Sequence, residues 1–217
     1  MKKMMVFMSV ILIAAVLFWS SAFAYTYEEV EITDLIEPAS SWAQEGIDTA
    51  KEEGLLTPGT SLFFKNDITR YDFAGLVVNM VEKVLGKELE PSGKVFTDTE
   101  DIAILKAYKA GIVSGTSKTT FSPDDLITRE QIATMLYNSI VCIEKNKGKE
   151  YTTKKADISG SYSDKNKVSS WAKTGMAVLV NNGIMSGTST TTLSPQSNAT
   201  IEQSIILIYK LYDKIIK

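Results

Sequence analysis

The stretch from Gly111 to Gln131, GIVSGTSKTTFSPDDLITREQ, recurs 72 positions later as Gly183 to Gln203, GIMSGTSTTTLSPQSNATIEQ. A third copy, GLLTPGTSLFFKNDITRYD, runs from Gly54 to Asp72 and is two residues shorter between its leading glycine and its threonine. Self-similarity at a fixed period is typical of a repeated supersecondary unit. The sequence therefore predicts three copies of one unit.

Each copy reads as a helix, a compact loop and a second helix. The leading glycine follows a helical pattern and suits the left-handed position that ends a helix, and Ser-Gly-Thr-Ser and Ser-Pro are turn residues. Thr69, Thr128 and Thr200 stand where an N-cap belongs, and Gln131 and Gln203 complete capping boxes with the last two. The predicted fold class is all-α.

The second helix of two copies is predicted to begin with an arginine, Arg70 or Arg129. A cation is unfavourable at the positive end of a helix. Free N–H groups at a helix start, together with a guanidinium, nevertheless form a receptor for a carboxylate or a phosphate. In the third copy Thr200 and Gln203 keep the cap while Ile201 replaces the arginine. We therefore predict that the cap is structural and the arginine functional.

The repeated pattern Asp…Trp-Ala…Gly-Ile-x-Ser-Gly-Thr…Phe-x-Pro…Ile-Thr-Arg-Glu resembles the S-layer homology domain, in three tandem modules at 25–90, 91–148 and 149–217. The resemblance implies a pseudo-threefold arrangement of three helix-loop-helix modules around a central helical bundle. It also implies binding of a pyruvylated secondary cell-wall polysaccharide in grooves between neighbouring modules. A module of this size buries too small a core without a disulfide or metal, so the modules are expected to pack on one another.

The resemblance indicates which residues bind the glycan. Arg70 and Arg129 are expected to bind pyruvate carboxylates, with solvated side chains as the alternative, and their joint replacement by alanine is expected to release the protein without unfolding it. Trp42 and Trp171 are expected to stack on sugar rings, although a core position suits a tryptophan equally well. Two further groups are candidates. The loop residues expected to bind sugar hydroxyls are Gly115, Thr116, Gly187 and Thr188, and the aspartates at the module openings are Asp34, Asp98 and Asp164.

The three grooves are not expected to be equal. Ile201 replaces the arginine in module three, and module two has no tryptophan in its first helix. One or two working grooves are therefore expected.

Three further local features can be predicted. Ser41 and Ser170 are expected to cap the first helices of modules one and three. Cys142, the single cysteine, is expected to be a buried small hydrophobe. The lysine-rich stretch 146–161 is expected to be the most mobile linker.

The N-terminal residues 1–24 have the pattern of a secretory signal peptide. Lys2 and Lys3 precede an apolar run that ends near Trp19, and Ala22-Phe23-Ala24 offers a small-x-small cleavage site; an uncleaved membrane anchor is the alternative. Without that segment 21 basic residues face 26 acidic ones. The chain is thus expected to be secreted to the cell surface, in the cell wall or S-layer, with no membrane contact after cleavage and no general attraction to nucleic acid.

Most catalytic chemistry is disfavoured by composition. The sequence has no histidine, which removes the commonest general base and the usual nucleophilic triads, and no phosphate-binding loop. Asp124 and Asp125 could act on a glycan and Asp98, Glu100 and Asp101 could hold calcium, but solvated acids and helix-start acids are simpler interpretations. We therefore expect a non-enzymatic binding protein without cofactor or metal.

The main function expected is non-covalent anchoring to an anionic cell-wall polysaccharide, with surface-layer proteins as possible partners. The alternative is a structural or self-assembling protein with degenerate grooves that binds another surface protein.

Overall fold

The computed structural model describes residues 38–155 and 157–217. Within these ranges the protein is all-helical, as predicted, with two short 3-10 helices (Pro58–Thr60 and Lys165–Lys167) and no strand. The predicted signal peptide and Asp34 lie outside the described residues. The α-helices are α1 Ser41–Glu52, α2 Arg70–Leu85, α3 Ile102–Lys109, α4 Arg129–Lys147, α5 Lys173–Asn181 and α6 Ile201–Ile216.

The predicted ends of the first helices and the predicted starts of the second helices are confirmed. The glycines that open the repeat, Gly54, Gly111 and Gly183, have φ values of 65°, 72° and 71°. This is the left-handed conformation, in which a Cβ would be strained. Thr69, Thr128 and Thr200 are the N-caps of α2, α4 and α6, and both capping boxes are formed.

The predicted serine caps are wrong, because carboxylates from other modules determine the local structure. The N-cap of α1 is Ser40, whose amide and hydroxyl both donate to Glu202, each at 2.9 Å. In module three α5 begins only after Ala172, and Ser169 donates to Glu130 through its amide (2.9 Å) and its hydroxyl (2.8 Å). A glutamate of one module therefore holds a serine of the next.

A closed ring of three backbone hydrogen bonds joins the modules. Ile68 N–H donates to the carbonyl of Ala199 (2.9 Å), Ala199 N–H donates to Ile127 (3.3 Å), and Ile127 N–H donates to Ile68 (3.1 Å). All three side chains are fully buried. Each module thus supplies one donor and one acceptor, and each bond of the ring crosses between two modules.

The helices follow the same cyclic order. The second helices of the modules, α2, α4 and α6, contact one another, while α3 packs on α2, α5 on α4 and α1 on α6. Each first helix therefore packs on the second helix of the preceding module, and α1 closes the cycle on the last. The modules share one core, as their small size requires; the pseudo-threefold symmetry and the module boundaries stay predictions.

Part of the linker expected to be mobile, residues 151–154, makes specific contacts with two helices. Glu144 of α4 accepts hydrogen bonds from Tyr151 N–H (3.0 Å) and the Thr152 hydroxyl (3.3 Å), and its second oxygen lies 2.7 Å from Lys154 Nζ. Asn182, at the end of α5, receives a bond from the amide of Thr153 and donates one back to its carbonyl. A carboxylate and an amide on neighbouring helices thus fix a segment whose composition is typical of a flexible one.

Replacing the cap threonine Thr128 by alanine should lower the free energy of unfolding by about 1 kcal/mol. The physical reason is that the amide of Gln131 loses its acceptor at the helix start. Urea denaturation measures this. Thr119→Ala is the control, since its exposed hydroxyl has no hydrogen-bond partner in the described part of the chain. This control should change stability by less than about 0.5 kcal/mol. Equal losses in the two variants would contradict the role of the cap.

Glu144→Gln should lower stability at neutral pH by about 1.5 kcal/mol through loss of a charge-assisted contact. Burial alone would raise the pKa of Glu144, but Lys154 and the amide of Tyr151 outweigh it and lower that pKa. A carboxylate whose pKa is lower in the folded state than in the unfolded state stabilises the fold above its unfolded pKa, about 4.3. This stabilisation is lost as the pH falls through the folded-state pKa. The free energy of unfolding, measured by urea denaturation between about pH 3 and 7, should therefore depend less on pH in Glu144→Gln than in the parent protein.

The matched control is Glu150→Gln, which removes a second partner of Lys154 that lies at 3.7 Å and is 80% exposed. This variant should keep the pH dependence of the parent protein. If Glu150→Gln flattened it and Glu144→Gln did not, the assignment to Glu144 would be wrong.

Candidate functional site

The two signature arginines run from the start of a helix into the loop of the next module. Arg70 donates from Nε to the carbonyl of Phe121 (2.9 Å) and from Nη2 to that of Ser114 (3.3 Å). Arg129 repeats the arrangement one module on, with distances of 2.9 Å to Leu193 and 2.6 Å to Ser186. The side chains are only 4% and 5% exposed. The alternative of freely solvated arginines is therefore wrong.

The helix starts themselves are not free to bind an anion. The first two amides of α2, at Arg70 and Tyr71, donate to the carbonyls of Asp125 and Pro123 in the next module, both at 2.9 Å. The starts of α4 and α6 are occupied in the same way by loop carbonyls. The predicted receptor of free N–H groups is therefore absent here, and only the guanidinium is available to attract an anion.

Each guanidinium is a buried cation without a directly paired anion. Neither arginine forms a salt bridge within residues 38–155 and 157–217, since their hydrogen-bond partners are neutral carbonyls. Burial lowers the pKa of Arg70, opposed by the charges of Asp125 and Asp98. Burial also lowers the pKa of Arg129, opposed by Asp164 and Tyr162. An arginine stays protonated in proteins, so each site carries a positive charge that an anion would stabilise.

Arg70 lines a cavity that we name groove A, of about 530 Å³. The loop and second helix of module two form its walls, and module three adds a tryptophan. The residues that line it include Arg70, Gly115, Thr116, Gln131, Asn138 and Trp171.

Arg129 lines the corresponding cavity of module three, groove B, of about 410 Å³. Here the tryptophan comes from module one, which closes the cycle. The corresponding residues are Arg129, Gly187, Thr188, Gln203, Lys210 and Trp42.

Both tryptophans of the described chain lie in these grooves and face solvent. Trp42 is 58% exposed and Trp171 is 55% exposed. A core role, the alternative left open by the sequence, is therefore wrong. A large exposed aromatic side chain beside a buried cation is typical of a binding surface rather than of packing.

The third cavity, groove C, is built in the same way from the loop of module one and α2, and has a volume of about 510 Å³. Ile102 of α3 lines it in the place of the tryptophan. Ile201, in the place of the arginine, is buried and does not line it. The two departures, 99 positions apart in the chain, thus affect one and the same groove.

Groove C is also acidic. Asp72, Glu82 and Asp101 line it, and its one lining cation, Lys106, lies 2.8 Å from Glu82 and 3.2 Å from Glu88. This groove therefore has neither the arginine nor the tryptophan of the other two, although Tyr71 lines it, and its charge is unfavourable for an anion.

The loop candidates divide into two kinds. A Cβ on Gly115 or Gly187 would clash with two loop carbonyl oxygens, so the loop requires glycine there. The amides of Thr116 and Thr188 are occupied, since they donate to Thr120 and Thr192 at 2.9 Å. Their hydroxyls bond to those of Ser122 and Ser194 at 2.8 and 2.7 Å. The amides of the threonines cannot serve as the predicted donors to sugar hydroxyls, whereas the exposed hydroxyls remain candidates.

The aspartates Asp98 and Asp164 stabilise the loops by accepting hydrogen bonds from loop amides. Asp98 accepts hydrogen bonds from the amides of Phe121 and Ser122, and the bond from Phe121 is the largest cause of its lowered pKa. Asp164 accepts the equivalent bonds at 2.8 Å, and these lower its pKa against the opposing effect of burial. Neither lines groove A or B. We therefore assign them to loop structure instead of ligand contact.

Sequence reasoning missed several groove residues. Gln131 and Gln203 complete capping boxes and also line the grooves, and Asn138 and Lys210 lie two turns further along the same helix face. The 72-residue repeat pairs Asn138 with Lys210, and this pairing of unlike residues could have drawn attention to them.

Two segments of the chain match the S-layer homology domain, at residues 96–133 and 161–200. The matches fall in the second and third modules. No helix of residues 38–155 and 157–217 is both long and apolar enough to cross a membrane.

Among curated proteins, the chain is similar to an "Exoglucanase XynX" of Acetivibrio thermocellus, with 25% identity over 80% of this chain and 16% of that protein. An "Amylopullulanase" of Thermoanaerobacterium thermosulfurigenes shows 25% identity over 80% and 9%. A "Cellulosome-anchoring protein" of Acetivibrio thermocellus shows 28% identity over 72% and 34%. The chain thus spans at most about a third of the length of these relatives.

The burial of the arginines changes the outcome expected for their removal. Arg129→Ala should lower the free energy of unfolding by about 2 to 3 kcal/mol, because the buried carbonyl of Leu193 and the partly buried carbonyl of Ser186 lose their donor. Trp42→Ala, in the same groove but exposed, should cost less than about 0.5 kcal/mol. Urea denaturation of the two variants tests this contrast, and an unchanged midpoint for Arg129→Ala would contradict it.

Proposed function

We infer from the two segments that match the S-layer homology domain, in modules two and three, that this chain associates with the cell surface. We further propose that it anchors there non-covalently, by binding an anionic secondary cell-wall polysaccharide, pyruvylated on its sugars, in grooves A and B. The observation that carries the proposal is a buried guanidinium without a carboxylate partner that lines a cavity beside an exposed tryptophan, present twice.

The groove supplies each interaction that an acidic sugar needs. A carboxylate reaching Arg70 or Arg129 would meet a cation that is already desolvated and fixed by two carbonyls, so the pair gains in strength from the low local dielectric. The exposed ring of Trp171 or Trp42 offers an apolar surface for the sugar face. Gln131 and Gln203 line the same cavities with amide groups suited to hydroxyls.

Two grooves on one rigid body suit a polymer. A repeating glycan presents many copies of its acid group, and occupying groove A raises the local concentration of the next copies near groove B. Weak single sites can then hold a protein at a surface. Groove C is left out of this role because it lacks the buried arginine and the tryptophan and is lined by three acidic residues.

We propose no catalytic activity for this chain. The carbohydrate-active names belong to relatives that are much longer than the segment they share with it, and the anchoring name belongs to a relative of which the chain covers 34%. The absence of histidine from the whole sequence supports a binding role. The cell wall or surface layer is accordingly the proposed location.

Co-sedimentation with purified cell-wall sacculi tests the proposal. The parent protein should sediment with sacculi, and chemical removal of the polysaccharide or of its pyruvate should abolish this. Trp42→Ala and Trp171→Ala should each weaken sedimentation by about tenfold through loss of one of two sites, and the double variant should remain in solution. All three variants should melt like the parent protein because the removed rings are exposed.

Ile102→Ala is the matched control, since Ile102 holds the tryptophan position in groove C and is 56% exposed. It should sediment as the parent protein does. Undiminished sedimentation of the double tryptophan variant would refute the groove assignment and would favour self-assembly or binding of another surface protein. Loss of sedimentation with Ile102→Ala would show that groove C also binds.

A further inference from the structure

Grooves A and B are built alike but differ at one position of the helix face that lines them. In groove A, Asn138 donates from its side-chain amide to the carbonyl of Ile112 at 3.1 Å. In groove B the equivalent residue is Lys210, which is exposed and lines the cavity together with Arg129. Groove B therefore holds a second cation that groove A lacks.

A second difference lies beside the arginines and acts in the same direction. Asp125, whose carbonyl accepts from the amide of Arg70, places a carboxylate close enough to act on that guanidinium. The equivalent residue in the next module is Ser197, whose carbonyl accepts from the amide of Arg129 but whose side chain has no charge. Arg129 therefore faces one negative charge fewer.

Of the other charged groups, Glu202 lines groove B whereas its counterpart Glu130 does not line groove A. Asp98 acts on Arg70 as Asp164 acts on Arg129. Glu130 is bound to Ser169 as Glu202, which also lines groove B, is bound to Ser40. Because the carboxylate of Glu202 already accepts both donors of Ser40, the differences that remain are the added ammonium of Lys210 in groove B and the missing carboxylate at Ser197.

We propose, on the basis of the function proposed above, that groove B binds a glycan segment with two acid groups, whereas groove A binds a segment with one. Arg129 receives the first acid group and Lys210 the second, so Lys210 is the residue that determines the difference in specificity. Lys210 lies seven residues beyond Gln203 on α6, which corresponds to about 10 Å along the helix axis. The proposal places the two acid groups on different sugars of the chain, because Gln203 and Lys210 line the same cavity two helical turns apart.

The indole N–H signals of Trp42 and Trp171 report on the two grooves separately in the full-length protein. Their NMR resonances are assigned with Trp42→Phe and Trp171→Phe. The probes are a glycoside with one pyruvate ketal and a disaccharide with a ketal on each sugar. At low salt the dissociation constant obtained from the Trp42 signal should be about fivefold lower for the disaccharide than for the glycoside. The preference at Trp171 should stay within about twofold, the statistical effect of two ketals.

Two substitutions test the role of Lys210. Lys210→Asn introduces the residue that modules one and two carry at this position, at Asn79 and Asn138, so it should fold and should abolish the preference at Trp42. Ser197→Asp places a carboxylate beside Arg129, so it should weaken the binding of both probes at Trp42 and leave the preference for the disaccharide in place. Lys214→Asn, one turn further along α6 and not lining the cavity, is the control and should leave the preference unchanged.

The outcomes separate this inference from the proposed function. If neither indole signal responds to either probe, glycan binding in the grooves fails and this inference fails with it. If both signals respond but Trp42 shows no preference for the disaccharide, or keeps its preference in Lys210→Asn, only the present inference is overturned.

Discussion

The ring of backbone hydrogen bonds through Ile68, Ile127 and Ala199 is the constraint on which the rest of the structure depends. A buried amide or carbonyl left without its partner costs about 1 to 3 kcal/mol, and here every partner belongs to another module. The ring sits just before the three N-caps, so it also places the starts of α2, α4 and α6 against the neighbouring loops. The arginines, and with them the grooves, are positioned by this closure.

The arginines show how structure and binding share one side chain. Arg129 uses two N–H groups on loop carbonyls and so joins two modules, while its charge stays without a directly bound anion at the edge of a cavity. A lysine could supply the charge but not the fixed fork of donors. The arginine is therefore both a link between modules and the proposed receptor for an acidic sugar, and the two roles cannot be separated by removing it.

Features determined by local chemistry could be predicted from the sequence, and features determined by distant partners could not. The threonine caps and the left-handed glycines depend on neighbours within a few residues. The error at Ser170 arose because Glu130 reaches the neighbouring Ser169 from another module. The contact of Glu144 with Lys154 likewise joins two elements and could not be predicted from local sequence. The same limit applied to the binding site: the candidate arginines and tryptophans were identified, but not which arginine shares a groove with which tryptophan.

Each groove combines an arginine from one repeat, a loop and helix from the next, and a first-helix residue from the one after. After duplication of an ancestral repeat, selection for ligand binding would therefore act on these composite units and not on single repeats. If one groove no longer bound a ligand, the residues that the different repeats contribute to that groove could all be substituted without loss of function. Ile102 and Ile201 fit such a history, in which two repeats each look partly decayed although the loss is confined to a single place on the surface.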